Sequence, residues 1–217
     1  MISYLLFIVF FIFSITIHEF FHGYVADQLG DPTPRLSKRL TLNPIPHIDL
    51  FGTIIIPFVL QLPLGWAKPM PIDPYNLRNP KKDTAMIALA GPSANLILAI
   101  LLSIVLRLLN FMDISYLITI SSSIILTIIK LNVFLGFFNL LPIYPLDGFS
   151  LVGGFLSDEK YEEWNQLKRY GMIFLLALVI PIFGGSSMIS FILNPVAGFF
   201  YKLLIPYPFN LIGPGII

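Results

Sequence analysis

Apolar residues in this chain fall in long runs separated by three polar stretches, and the run lengths are those of membrane helices. The first run starts at the N-terminus and carries no charged side chain before position 18. About 20 apolar residues suffice to cross the hydrocarbon core of a bilayer, and the pattern predicts a helix over residues 2–29. Gly30-Asp31-Pro32 should stop it, with the glycine as cap and the proline unable to continue. Residues 50–64 are apolar but short and interrupted by Pro57, which predicts a re-entrant or tilted segment. Clear transmembrane patterns follow from Thr84 to about Leu109 and over residues 115–141. Residues 171–193 read as a further span with a kink at Pro181 or at Gly184-Gly185, and residues 195–206 as a short apolar tail segment. Of the polar stretches, 31–49 and 65–83 are rich in proline, while 157–170 is the most charged and predicts a short amphipathic surface helix. The expected fold class is an all-α integral membrane protein. It would be a polytopic helical bundle of about 4–6 membrane segments, with a re-entrant segment and a small β-like membrane-associated loop at 65–72.

Composition agrees with that environment. The chain is 56% hydrophobic and 12% charged, about half the charged share of a soluble domain. Its 217 residues leave little room for a separate water-soluble unit, so a single domain over residues 1–217 is expected. A net charge of +1 and the lack of any nucleic-acid motif exclude a nucleic-acid partner. The absence of cysteine excludes disulfides and cysteine chemistry. The first run has no basic n-region and no small-x-small cleavage site, so it reads as a retained helix rather than a signal peptide. No internal repeat is visible. Loops 31–49, 65–83 and 157–170 hold ten of the 13 lysines and arginines, which places them in the cytoplasm and the N-terminus outside a multi-pass cell-membrane protein.

Within the first helix lies His18-Glu19-Phe20-Phe21-His22. Residues four apart share a helix face, so both imidazoles can reach one metal ion. Glu19 follows directly, where a carboxylate can contact a metal-bound water and act as general base. Ionisable groups at membrane depth are costly and are rarely kept without a role. The bland alternative is a buried His/Glu cluster that holds helices together. A catalytic zinc usually takes three protein ligands and keeps one open position. Candidates for the third are His47, Asp27, Asp49, Asp147 and scattered loop acids. Asp147 stands out because it lies in an apolar, proline-framed turn, Leu140 to Leu146. A helix N-cap is its ordinary alternative role. Gly148 after it would let the backbone approach closely. Lys130, near the middle of the 115–141 helix, is too deep for easy snorkelling.

HEFFH in the first helix, GPSAN at Gly91–Asn95 and NLLPIYPLDG at Asn139–Gly148 together resemble the site-2 protease family of intramembrane zinc metalloproteases. The likeness runs from about residue 10 to 155 and is closest to the short form, without an inserted PDZ segment or CBS repeats. It implies one zinc held by His18, His22 and Asp147, with Glu19 as the catalytic base. It further implies support from Asn139 and Asn95 near the reacting groups. The stretches LTLNPIPHIDL, with His47, and GWAKPMPIDPYNLRNP, with Trp66, Ala67 and Lys68, also look like compact members. Local alternatives are plain enough: Gly91, Ser93 and Ala94 could serve close helix approach, Asn95 and Asn139 interhelical hydrogen bonds, and His47 a loop contact.

The expected function is therefore hydrolysis of peptide bonds within or next to transmembrane segments of membrane proteins. Substrates would be transmembrane proteins met in the lipid bilayer, and the sequence leaves room for a homo-oligomer or a regulatory membrane partner. A helical substrate must unwind before attack, and an extended segment such as 65–72 could receive it by strand addition. Pro69 and Pro71 suit an edge. Two other readings compete. A metal-ion transporter or channel would use His18, His22 and Asp147 as an ion path but has no use for Glu19. A catalytically dead scaffold would lack one of these groups.

Overall fold

The computed structural model describes residues 2–55, 65–111, 115–180 and 187–206. Seven helices carry these parts: α1 (Ile2–Gln28), α2 (Pro80–Phe111), α3 (Ser115–Asn139), α4 (Asp147–Phe155), α5 (Asp158–Gln166), α6 (Lys168–Val179) and α7 (Met188–Leu204). Single helical turns at Thr33–Leu36, Ile45–His47 and Pro74–Asn76 and a wide π-type turn at Leu50–Ile55 shape the polar stretches. Among the described residues, α1, α2 and α3 are long and apolar enough to cross a membrane, and α7 is apolar but shorter. The protein is thus an all-helical membrane protein.

Helix ends follow local chemistry. Gly30 takes a positive φ of 108° and the Asp31 N–H reaches back to the Ala26 carbonyl at 2.9 Å, the left-handed cap that a side chain would strain. Helix α2 starts at Pro80, before the Thr84 expected from hydrophobicity alone. Asn79 and Asp83 cap it reciprocally: the Asn79 N–H donates to Asp83 Oδ2 at 2.8 Å and the Lys82 N–H to Asn79 Oδ1 at 3.3 Å. That cap lets a polar first turn join an apolar helix.

Three expectations are corrected. The 171–193 span is not one helix, because α6 ends at Val179 and α7 begins at Met188. Ile180 is extended (φ −69°, ψ 129°), as the residue before a proline is pushed to be; the proposed kink positions themselves lie outside the described residues. The 157–170 surface helix divides at Leu167 into α5 and α6. Trp164 stacks on Phe149 at 4.8 Å and donates to its carbonyl, fixing α5 to α4. No β-strand forms among the described residues, so the β-like loop at 65–72 is an extended segment without a ladder. The Pro57 part of the re-entrant segment lies outside the described residues.

Helix α2 is the central element, packed against α1, α3 and α4, while α3 also packs on α7. One apolar cluster joins Ala99 and Leu106 of α2 to Leu126, Ile129 and Val133 of α3 and Ala197 and Leu204 of α7. A second joins Phe11 and Ile15 of α1 to Leu131 and Leu135 of α3, with Ala67 laid against it. Outward-facing Val9, Phe13, Ile97, Leu101, Ile104 and Leu108 are exposed, an apolar surface that suits lipid contact. On the polar side, fully buried Asp31 pins two loops together. It accepts from the Thr33 N–H and hydroxyl, from the Asp73 N–H at 2.8 Å and from the Asn76 amide at 2.9 Å. Burial works to raise its carboxyl, but these donors outweigh it and hold the group below the usual carboxylate range.

Candidate active site

Helix periodicity brings His18 and His22 to one face of α1, with ring centroids 4.6 Å apart and Nε2 atoms 3.0 Å apart. The first turn of α4 delivers Asp147 to the same point: Oδ2 lies 3.0 Å from His18 Nε2 and Oδ1 3.3 Å from His22 Nε2. Helix α4 can come so close because position 148 is glycine; a Cβ there would stand 2.2 Å from the Leu140 carbonyl oxygen. Asp147 opens α4 as its first residue.

Backbone carbonyls and an amide fix the imidazoles. His22 Nδ1 lies 2.7 Å from the Ile87 carbonyl oxygen, which can only accept, so Nδ1 carries the proton. His18 Nδ1 lies 2.6 Å from Asn95 Oδ1 and donates to it likewise. Both Nε2 atoms therefore present lone pairs to each other and to a carboxylate. Three electron-rich groups converging in a buried place repel unless a cation sits among them. Asp147 Oδ2 is itself buried without a hydrogen-bond donor. The three ligand atoms lie within 4.8 Å of one another. Tetrahedral zinc with bonds of about 2.0–2.1 Å sets its ligand atoms about 3.3 Å apart, so the donor set fits that ion. Gly91 of α2 completes the cradle, because a Cβ at this position would lie 2.4 Å from His22 Nε2 and 2.6 Å from His18 Nε2. Sequence reasoning placed Gly91 within GPSAN and gave it, as its plain alternative, a role in close helix approach. The structure points it at the ligand atoms, and its place in GPSAN beside Asn95 was the available signal.

Glu19 turns from the same helix toward the segment 65–72, where its Oε2 accepts the Met70 N–H at 2.6 Å. That segment is extended and tied along one side. The Trp66 N–H donates to the Gly52 carbonyl at 3.2 Å and the Lys68 N–H to the His47 carbonyl at 2.9 Å. Thr53 donates to the Trp66 carbonyl at 2.8 Å. Buried Arg39 donates to the Lys68 carbonyl at 2.8 Å, a residue that sequence reasoning counted only as loop charge. The Glu19 carboxylate also faces this guanidinium electrostatically.

The remaining candidates divide. Ala67 packs against Phe11, Ile15, Leu131 and Leu135 of α1 and α3. Trp66 is exposed and covers Gly52, where a Cβ would meet its indole at 2.3 Å, and Lys68 is exposed. His47 is fully buried, its Nε2 donating to the Thr41 carbonyl at 2.8 Å, and belongs to no group of metal-ligating side chains found among the described residues. Asn139 Nδ2 folds back on the Leu135 carbonyl of its own helix at 3.0 Å. Asp27, another early ligand candidate, pairs with Arg35 at 3.2 Å. Half-buried Lys130 offers its carbonyl to the Tyr201 hydroxyl at 3.2 Å.

A His pair on a membrane helix, a carboxylate from a second helix and a glutamate beside the first histidine define a metal-dependent hydrolase built into a helical bundle. Comparison with known proteins agrees. The model of peptidase family M50 matches residues 6–130 and 113–180, and the chain belongs to that family of zinc metalloproteases. YwhC of Bacillus subtilis is 38% identical over 187 residues, covering 84% of this chain and 83% of the relative. Rip2 of Mycolicibacterium smegmatis is 29% identical, covering 77% of this chain and 63% of the relative. Both carry the name zinc metalloprotease provisionally. The zinc metalloprotease MJ0392 of Methanocaldococcus jannaschii is 30% identical over 90% of this chain, which spans 47% of that longer relative. No solved structure matches the chain.

Proposed function

We propose that this chain is an intramembrane zinc metalloprotease that hydrolyses peptide bonds within or next to transmembrane segments of membrane-protein substrates. His18, His22 and Asp147 hold the zinc and Glu19 is the general base. The observation that carries this reading is the convergence of two proton-free Nε2 atoms and a carboxylate on one point between membrane helices. Zinc, when bound, polarises the scissile carbonyl and makes water acidic enough to attack near neutral pH. Glu19 takes the proton of the attacking water and passes it to the leaving amine. The Met70 N–H holds that carboxylate in place.

Substrate docks along residues 65–70. Peptide groups of an extended chain alternate in direction. Trp66 and Lys68 spend theirs on the 47–53 side, which turns those of Ala67 to the opposite side. An unwound substrate segment adds there as a strand. Ala67→Pro, which removes that N–H, should raise KM for a transmembrane reporter, and an unchanged KM would end this docking scheme. The polar loops 31–49, 65–83 and 157–170 lie in the cytoplasm and admit water, and the N-terminus lies outside. Because the chain has no cysteine, single cysteines placed in these loops and labelled from one side test the orientation directly.

The central experiment combines metal analysis with Glu19→Gln. The variant should retain zinc and lose cleavage of a reconstituted transmembrane reporter. Cleavage surviving in this variant would overturn the proposed chemistry. Zinc flux through vesicles that ignores Glu19→Gln would instead support a transporter.

A further inference from the structure

Behind Asn95 lies a second layer of polar groups that neither motif spacing nor the proposed chemistry uses. Asn95 Nδ2 donates to Asn132 Oδ1 of α3 at 2.7 Å and, over a longer 3.4 Å, to the Ser14 carbonyl of α1. Asn132 Nδ2 donates to Ser14 Oγ of α1 at 2.9 Å and to the Ile128 carbonyl, also at 2.9 Å. Ser14, Asn95 and Asn132 are all fully buried. Three membrane helices thus meet at one hydrogen-bonded chain that ends on a candidate zinc ligand.

Its direction is set at the far end. The Ile128 carbonyl can only accept, so the Asn132 amide must turn its NH2 there and its oxygen toward Asn95. Asn95 must then turn its own NH2 to Asn132 and its oxygen to His18. An oxygen facing His18 Nδ1 requires the proton on Nδ1, which leaves the Nε2 lone pair for metal. Without an acceptor at 132 only the Ser14 carbonyl, a long contact at 3.4 Å, holds the Asn95 amide against a flip. A flipped amide presents NH2 to Nδ1, favours the proton on Nε2, and blocks the ligand atom.

We infer that Asn132, braced by Ser14 and the Ile128 carbonyl, is a positioning residue that sets the metal-binding tautomer of His18 through Asn95. The inference rests on the reading of His18 as a zinc ligand. Outer partners of ligating histidines typically carry about 10–100-fold in metal affinity, and that is the effect expected here.

The test measures zinc affinity by competition with a chromophoric chelator, alongside the absorption spectrum of the cobalt-loaded protein. Asn132→Leu should bind zinc about 10–100-fold more weakly and alter the cobalt spectrum. Asn132→Asp keeps an acceptor facing Asn95 and should bind far better than Asn132→Leu. Ser14→Ala, which only removes the brace, should weaken binding in the same direction by less, and stands in if the leucine variant does not fold. Ser103→Ala serves as control: its hydroxyl joins α2 to the Leu204 carbonyl of α7, away from the site, and its loss should leave zinc affinity alone. The chain has three histidines, so histidine-selective 15N spectra of the metal-free protein at alkaline pH give a second readout. Wild type should show His18 and His22 protonated at Nδ1 and His47 at Nε2, with His18 changed in Asn132→Leu. Wild-type zinc affinity in Asn132→Leu, or an equal loss in Ser103→Ala, would overturn the inference. Zinc binding that survives His18→Ala would instead overturn the ligand assignment beneath it.

Discussion

Gly91→Ala adds one methyl group where the structure has least room for it. The new Cβ would lie 2.4 Å from His22 Nε2 and 2.6 Å from His18 Nε2. To restore an ordinary contact of 3.4 Å the rings must retreat by about 1.0 and 0.8 Å, whereas zinc sites tolerate about ±0.2 Å in ligand distance. The rings cannot swing aside freely, since each is held through Nδ1 at 2.6 or 2.7 Å by a bond worth about 1 kcal/mol. Either the imidazoles leave their positions or α1 and α2 separate; both dismantle the donor set. We expect zinc affinity to fall by at least about 100-fold, or about 2.8 kcal/mol, with peptidase activity lost in parallel. Alanine is the better helix former by about 1 kcal/mol, so the helix itself gives no reason for the metal-free protein to unfold. Chelator competition on the purified variant, with thermal unfolding of the metal-free form beside it, reads both quantities. If Gly91→Ala folds and binds zinc as tightly as wild type, the cradle argument is refuted.

Other outcomes follow from the loops around the site. Arg39→Ala removes the donor to the Lys68 carbonyl; kcat/KM for a transmembrane reporter should drop while zinc content holds, and loss of zinc instead would mean that the loop supports the metal directly. Asp31 has a carboxyl held below the usual carboxylate range, so its contribution to stability is present above about pH 4 and fades as pH falls through its folded value. Melting curves in detergent should therefore show an acid-side loss that Asp31→Asn flattens, at the cost of lower stability at neutral pH. Asp158→Asn breaks the pair with Lys81, in which the carboxylate is exposed; exposed pairs contribute little, and the same melting assay should register no change.

The sequence made the site more legible than the fold around it. His18, Glu19 and His22 are local in the chain, so helix periodicity alone places the two imidazoles together. Asp147 needed only an acid stranded in an apolar, proline-framed turn. Helix α1 and its glycine cap were readable for the same local reason. What escaped was set by packing between distant segments. Arg39 and Asn132 are ordinary in their own neighbourhoods, and gain meaning only when residues 29 positions and 37 positions away arrive beside them. The divided surface helix depended on Trp164 stacking across to Phe149, and a helical period cannot register a contact made by a different element.

One local detail bears on how the enzyme keeps its alignment. Met70 stands between Pro69 and Pro71, and proline has no N–H to give. The Met70 N–H that meets Glu19 is thus the single main-chain donor in that stretch. A shift of the segment by one residue in either direction would set a proline nitrogen opposite the carboxylate. The pair of prolines therefore acts as a register key: only one alignment of residues 69–71 offers the Glu19 carboxylate a main-chain donor.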